Sequence, residues 1–213
     1  MRTGPMIVIK GYAYTLARRC SDPDVERRLA AITREADRLA AQIDDLLTLS
    51  SSQAGALQLV WRPGEVRDLL HDVAERATAQ AAARGVEIEV EGAAFSLAGD
   101  HGRLARAVTN LVQNAIRHAP PGSAVVLRSE VDDGDATLVV DDDGCGIAPE
   151  RIPALLEPFA TGDPTEGTGL GLAIVAEIAA AHGGTFSLEP RPAGGTSARI
   201  QLPGCVVRHP VHA

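Results

Sequence analysis

Asn110, Asn114 and Arg117 stand at i, i+4 and i+7 in the segment NLVQNAIR, so a helix would line all three along one stripe. Two neutral carboxamides and a guanidinium in line are an odd choice for a face that only meets water. An asparagine oxygen can bind a hard cation without adding negative charge beside an anion, and a guanidinium suits phosphate oxygens. A plain solvated stripe would show the same spacing, so this helix alone does not separate the two. A second group is Asp142, Gly144 and Gly146, which read D-x-G-x-G after the apolar run Leu138–Val140 and close on Ile147. A carboxylate there can accept a hydrogen bond from an exocyclic amine, and the glycines allow a flat ligand close approach and permit positive φ. Asp-Gly pairs also make ordinary turns. The third group is Gly167, Gly169 and Gly171, with Thr168 and Leu170 between them, at the start of an apolar helix. Such a turn offers free backbone N–H groups and the positive end of the helix dipole to an anion. It is neither a P-loop, since no Lys-Ser/Thr follows, nor a dinucleotide fingerprint, since no strand immediately precedes it.

Positioning these groups falls to a mixed set of elements. Leu104, Val108, Leu111, Val112, Ala115 and Ile116 form the buried side of a helix over 102–118, with Asp100 as its N-cap. The spacing predicts strands over 125–131 and 136–141, the second running into Asp142. VEIEV at 86–90 alternates as a half-buried strand, and short strands are expected at 57–61 and ending near Leu97. Val66, Leu69, Leu70, Val73 and Ala77 give a helix over 65–84, stopped by Gly85. A short helix is expected over 149–156, then a loop over 160–166, then the glycine-led helix to about His182. Segments 185–189 and 197–202 read as a hairpin.

The first fifty residues are different. Met6, Ile9, Ala13, Leu16 and Cys20 make one helical stripe, and Ser21-Asp22-Pro23 breaks it with a cap. Val25, Leu29, Ile32, Ala36, Leu39, Ile43, Leu46 and Ser50 then repeat at alternating four and three, a heptad seam. A hairpin with two such stripes cannot bury both alone, and two chains forming a four-helix bundle solve this. Packing of the hairpin on its own domain is the alternative. The polar stretch 50–55 marks the domain boundary.

Bulk properties narrow the function. The net charge of −8, with no basic run, argues against a nucleic-acid surface. Cys20, Cys145 and Cys205 are odd in number and scattered, which fits a reducing compartment better than a disulfide scaffold or a zinc site. No segment has the length of a membrane span, and no signal peptide is seen.

Four blocks occur in order: NLVQNAIRHAP (110–120), DDGCGI (142–147), EPF (157–159) and GTGLGL (167–172). Together they resemble the N, G1, F and G2 boxes of the histidine-kinase catalytic domain, within the wider family of Bergerat-fold ATPases and kinases. GYAYTL at 11–16, the helix ending DDLLTLS and the phrase AHGGTFSLE extend the resemblance over nearly the whole chain. It implies an α+β chain: a two-layer α/β sandwich that binds ATP and Mg²⁺ over 58–205, a dimerising helical hairpin over 1–52, and a tail over 206–213. By the same resemblance Asp142 accepts the adenine amino group, Asn114 ligates Mg²⁺ with Asn110 beside it, and Arg117 lies near the phosphates. His118 would line the nucleotide as pocket wall, Gly144, Gly146 and Ile147 would shape the adenine side, and Gly167, Thr168, Gly169, Leu170 and Gly171 would close on the phosphates. Phe159 would anchor a mobile lid over 160–166.

Two departures stand out. Relatives that hydrolyse ATP or phosphorylate serine carry a glutamate four residues before the metal-binding asparagine, where this chain has Asn110. That disfavours hydrolysis and an anti-sigma-factor-type serine kinase, and favours transfer to histidine. The resemblance also implies a phosphoacceptor histidine at the head of the first helix, yet no histidine occurs before His71. The chain opens as if cut just inside that box, or as if the acceptor had been lost. The expectation is therefore the cytoplasmic portion of a sensor histidine kinase: a homodimer through residues 5–50, with no self-phosphorylation. It would serve a response-regulator receiver domain and a separate chain carrying the acceptor. A catalytically silent nucleotide-binding module is the rival.

Overall fold

The structure is a computed structural model that describes residues 4–20, 22–53, 57–160 and 168–207. The chain divides into two compact units, Met1–Ser50 and Ser51–Ala213.

In the first unit α1 (Gly4–Ala17) and α2 (Pro23–Gln53) form the hairpin. Asp22 opens α2: its Oδ1 accepts the N–H of Asp24 at 2.8 Å, and Pro23 takes the first helical position, where no N–H is needed. Lys10 on α1 donates to Asp37 on α2 at 2.6 Å. The heptad seam of α2 divides: Leu29 and Ala36 are buried, as is Ala13 of α1, while Ile32, Leu39, Ile43 and Leu46 stay 41–48% exposed. Two boundaries differ from expectation. α1 stops at Ala17, short of Cys20, and α2 runs through Ser50–Ser52, because serine costs a helix only a few tenths of a kcal/mol where nothing else breaks it.

The second unit is a sandwich. A five-stranded sheet has the order β2-β4-β5-β7-β6, built from β2 (Glu87–Gly92), β4 (Ala124–Asp132), β5 (Asp135–Asp142), β6 (Thr185–Pro190) and β7 (Thr196–Leu202). Only β2 and β4 run parallel. Against it pack α3 (Val66–Ala82), α4 (His101–His118) and α6 (Gly171–Ala181). Leu104 and Ile116 of α4, Ile174 and Ile178 of α6, and Leu138 and Ile200 of the sheet are all 1% exposed or less. Each such side chain contributes roughly 1.5–3 kcal/mol by leaving water. A smaller antiparallel sheet joins β1 (Arg62–Glu65), β3 (Ser96–Gly99) and β8 (Val206–Val207).

Three expectations are corrected here. Residues 57–61 are not a strand; pairing begins at Arg62, on the outer strand of the small sheet, where Pro63 is tolerated. The preceding segment is held by side chains instead: the Val60 N–H donates to Asp100 Oδ2 at 3.0 Å, and the Trp61 ring lies 5.4 Å from that of His182. Residues 149–156 split into a 3-10 turn (Pro149–Arg151) and one turn of helix, α5 (Ile152–Leu155), which carries Pro153 in its first turn. Val206–Val207 form β8 against Leu97 and Ser96 rather than belonging to a tail.

Candidate nucleotide-binding site

α4 is the spine of the site. Asp100 caps it, its Oδ1 accepting the Arg103 N–H at 3.1 Å, and Leu104, Val108, Leu111, Val112 and Ile116 face the core. The other side presents Asn110, Asn114 and Arg117, all half-buried. Asn110 Nδ2 donates to the Gly171 carbonyl at 3.3 Å, joining α4 to the start of α6 and leaving the amide oxygen to accept. Two turns further along, about 12 Å at 1.5 Å per residue, the main chain of His118 abuts Gly144. The His118 side chain is exposed, and the Arg117 carbonyl accepts from Arg84 at 2.9 Å.

Asp142 ends β5, opposite Val125 and Thr196, and is 9% exposed. Its Oδ1 accepts the Gly144 N–H at 2.7 Å. Burial pushes its carboxyl above the usual carboxylate range; the N–H groups of Gly144 and Thr196 and the charges of His118 and Arg191 oppose that rise. Gly144 has to be glycine: a Cβ would fall 2.7 Å from Asp142 Oδ1 and 2.9 Å from the His118 carbonyl oxygen. Gly146 has φ +74°, and Ile147 beside it is half-buried.

Toward the glycine turn, no side chain among the described residues caps α6. Its first N–H groups therefore remain available to an anion. Gly169, at φ +69°, passes so close to the Phe159–Ala160 peptide that a Cβ would lie 2.5 Å from the Phe159 carbonyl carbon. The Phe159 N–H donates to the Gly169 carbonyl at 3.0 Å, with Phe159 itself at φ +67°. Phe159 is 64% exposed, so what ties it down at this point is its main chain. Leu170 is 2% exposed; its side chain belongs to the core, and only its backbone can meet a ligand. Thr168 Oγ1 accepts the Leu170 N–H at 3.4 Å. Gly167 and the expected lid, apart from Ala160, lie outside the described residues.

Asp142, Gly144 and the asparagine stripe thus share one end of the sheet with the glycine turn, joined through α4. Their chemistry fits a Mg·nucleotide. Among the described residues no three His, Cys, Asp or Glu side chains converge on a metal position. A cation here would draw on amide oxygens and on the ligand's phosphates. Sequence reading missed Thr196 and the loop before it, whose signal was the Gly194-Gly195-Thr196 run.

Comparison with known proteins identifies the family. Residues 99–205 match the family described as histidine kinase-, DNA gyrase B- and HSP90-like ATPases, and residues 3–55 match the His kinase A (phospho-acceptor) domain. A solved structure of the mycobacterial sensor histidine kinase MprB is 35% identical, with a TM-score of 0.63; the match covers 70% of this chain and 100% of that one. This chain belongs to the sensor histidine kinase family. Full-length ShkA in complex with AMPPNP gives a TM-score of 0.81 at 28% identity, over 99% of this chain and 45% of that one. Sensor histidine kinase CusS of Escherichia coli O157:H7 is 35% identical over 195 residues, 86% of this chain and 39% of the relative. Sensor protein DivL of Caulobacter vibrioides is 36% identical over 204 residues, 93% of this chain and 26% of the relative. The chain therefore spans less than half the length of these two sensors. No helix among the described residues is long and apolar enough to cross a membrane.

Proposed function

We propose that this histidine-kinase chain binds Mg·ATP over 58–205 and transfers the γ-phosphate to a histidine on another chain, for relay to a response-regulator aspartate. The observation that carries the reading is α4 linking a buried carboxylate, next to its last residue His118, to the start of α6, held by Asn110 midway along the helix. Asp142 accepts the adenine 6-amino group, which selects adenine because guanine carries a carbonyl there. Gly144, Gly146 and Ile147 form the wall against the base, with His118 at its edge. The Asn114 amide oxygen, with Asn110 beside it, takes the cation. Arg117 and the N–H groups that follow Gly169 take the phosphates, with Gly167 and Thr168 completing the turn. Mg²⁺, when bound, spreads the charge that builds on the phosphates. The protein's work is positioning: an imidazole nitrogen attacks the γ-phosphorus in line, the bond to ADP breaks, and the imidazole proton leaves to solvent.

Residues 3–55 match a phospho-acceptor domain and hold no histidine, so the test supplies the acceptor on a second chain. The hairpin serves as the dimer interface, and the chain works on the cytoplasmic side. Incubation with radiolabelled ATP tests this: acid-labile label is expected on an added sensor-kinase hairpin with an intact histidine box, and none on this chain. Label on this chain, or ATP binding with no transfer to the added hairpin, contradicts it. The latter outcome would support the second reading, a catalytically silent nucleotide-binding module.

A further inference from the structure

Behind Asp142 a single guanidinium engages three successive residues. Arg191, in the loop between β6 and β7, donates from Nη1 to the Asp142 main-chain carbonyl at 2.8 Å and to Asp143 Oδ1 at 2.6 Å. Its Nε lies 4.0 Å from Asp141 Oδ2. Asp141 alternates with Asp142 and so points to the opposite face of β5, where it is 2% exposed and paired with Arg128 at 2.6 Å. The guanidinium therefore grips the chain from the side away from the Asp142 carboxylate.

The loop is built to bring it there. The Arg191 N–H donates to the Gly195 carbonyl at 3.1 Å and the Gly194 N–H to the Arg191 carbonyl at 3.0 Å, closing a tight turn. Gly195, at φ +86°, crosses the strand so closely that a Cβ would lie 1.8 Å from the Asp142 carbonyl oxygen. Sheet pairing of β5 ends at Asp142, so the peptide that follows has no ladder to orient it. Charge-assisted bonds to a rigid guanidinium supply that orientation.

We propose that Arg191 is a positioning residue for base recognition: it clamps residues 141–143 from behind so that the Asp142 carboxylate faces the 6-amino group of adenine. This rests on the reading of Asp142 as the adenine acceptor. The test uses the full chain and two ligands, ATP and purine riboside triphosphate, which has hydrogen in place of the 6-amino group. The unaltered chain should bind ATP at least roughly tenfold tighter than the analogue, the worth of one bond to a charged acceptor. Arg191→Met should weaken ATP about three- to tenfold and shift the analogue less than about twofold, because the analogue never used the carboxylate. Arg191→Lys, which keeps charge but not the forked geometry, should recover part of the loss. Equal losses for both ligands, or no loss for ATP, overturn the clamp while leaving the Asp142 reading intact. A chain that binds the two ligands equally before any substitution overturns the Asp142 reading, and the clamp with it.

Discussion

On the proposed reading, Asp142 is a buried charge that serves a ligand at the expense of the fold. Because burial raises its carboxyl, the folded chain holds that proton more tightly than the unfolded chain. Stability therefore falls as pH rises from the ordinary carboxylate value to the raised one, and the ionised form remains a cost above it. Asp142→Asn removes the charge and keeps an oxygen for the Gly144 N–H. Its thermal midpoint at neutral pH should match or exceed that of the unaltered chain; a clear drop would mean the carboxylate holds the fold together. Asn114→Ala should act differently. Half-buried and on the wet side of α4, it should cost under about 1 kcal/mol of stability, while nucleotide affinity loses its response to added Mg²⁺. Persistence of the full Mg²⁺ response would remove Asn114 as the ligand.

Among the elements, the joint between α6 and α4 is the most sharply specified. His182, 3% exposed, has Nδ1 against the Ile178 carbonyl at 2.8 Å, and its Nε2 accepts the Asp100 N–H at 3.0 Å. That pattern needs a neutral ring, and burial does hold its pKa below the usual imidazole value. Below about 6.5 the unfolded chain binds a proton that the folded chain refuses. Stability should be full above that pH and decline as pH falls through it. His182→Ala should lose roughly 1–3 kcal/mol at pH 7, since the Asp100 N–H is left without its partner, and denaturant titrations should show the decline abolished. An unchanged pH slope would assign the decline to another group. Much of this layout was legible in the chain itself, because strong periodicity marks α4 and alternation marks β2. The three glycine- and asparagine-bearing blocks, 110–120, 142–147 and 167–172, marked the candidate site. Pairing register was not legible: 57–61 and Arg62–Glu65 are both plausible short strands until the partner strand and the Asp100 and His182 contacts choose between them. Nor was Arg191, which lies 48 residues from Asp143 and carries no local signal of its partner.

At the scale of the whole molecule, the exposed stripe Ile32, Leu39, Ile43 and Leu46 is the face on which the proposed dimer would close. Ile43→Glu with Leu46→Glu should convert a dimer into a monomer by sedimentation and leave ATP affinity within about twofold, since the substitutions fall in the hairpin unit and the nucleotide site is built within the other. A dimer that survives both charges would place the interface elsewhere. The catalytic half and the hairpin thus make separable predictions, and the nucleotide site is the one on which the functional reading depends. The most direct measurement is calorimetric titration of Mg·ATP into the full chain beside Asp142→Asn. Saturable one-site binding is expected, weakening at least roughly tenfold in the variant. Equal affinity in the two proteins would contradict it.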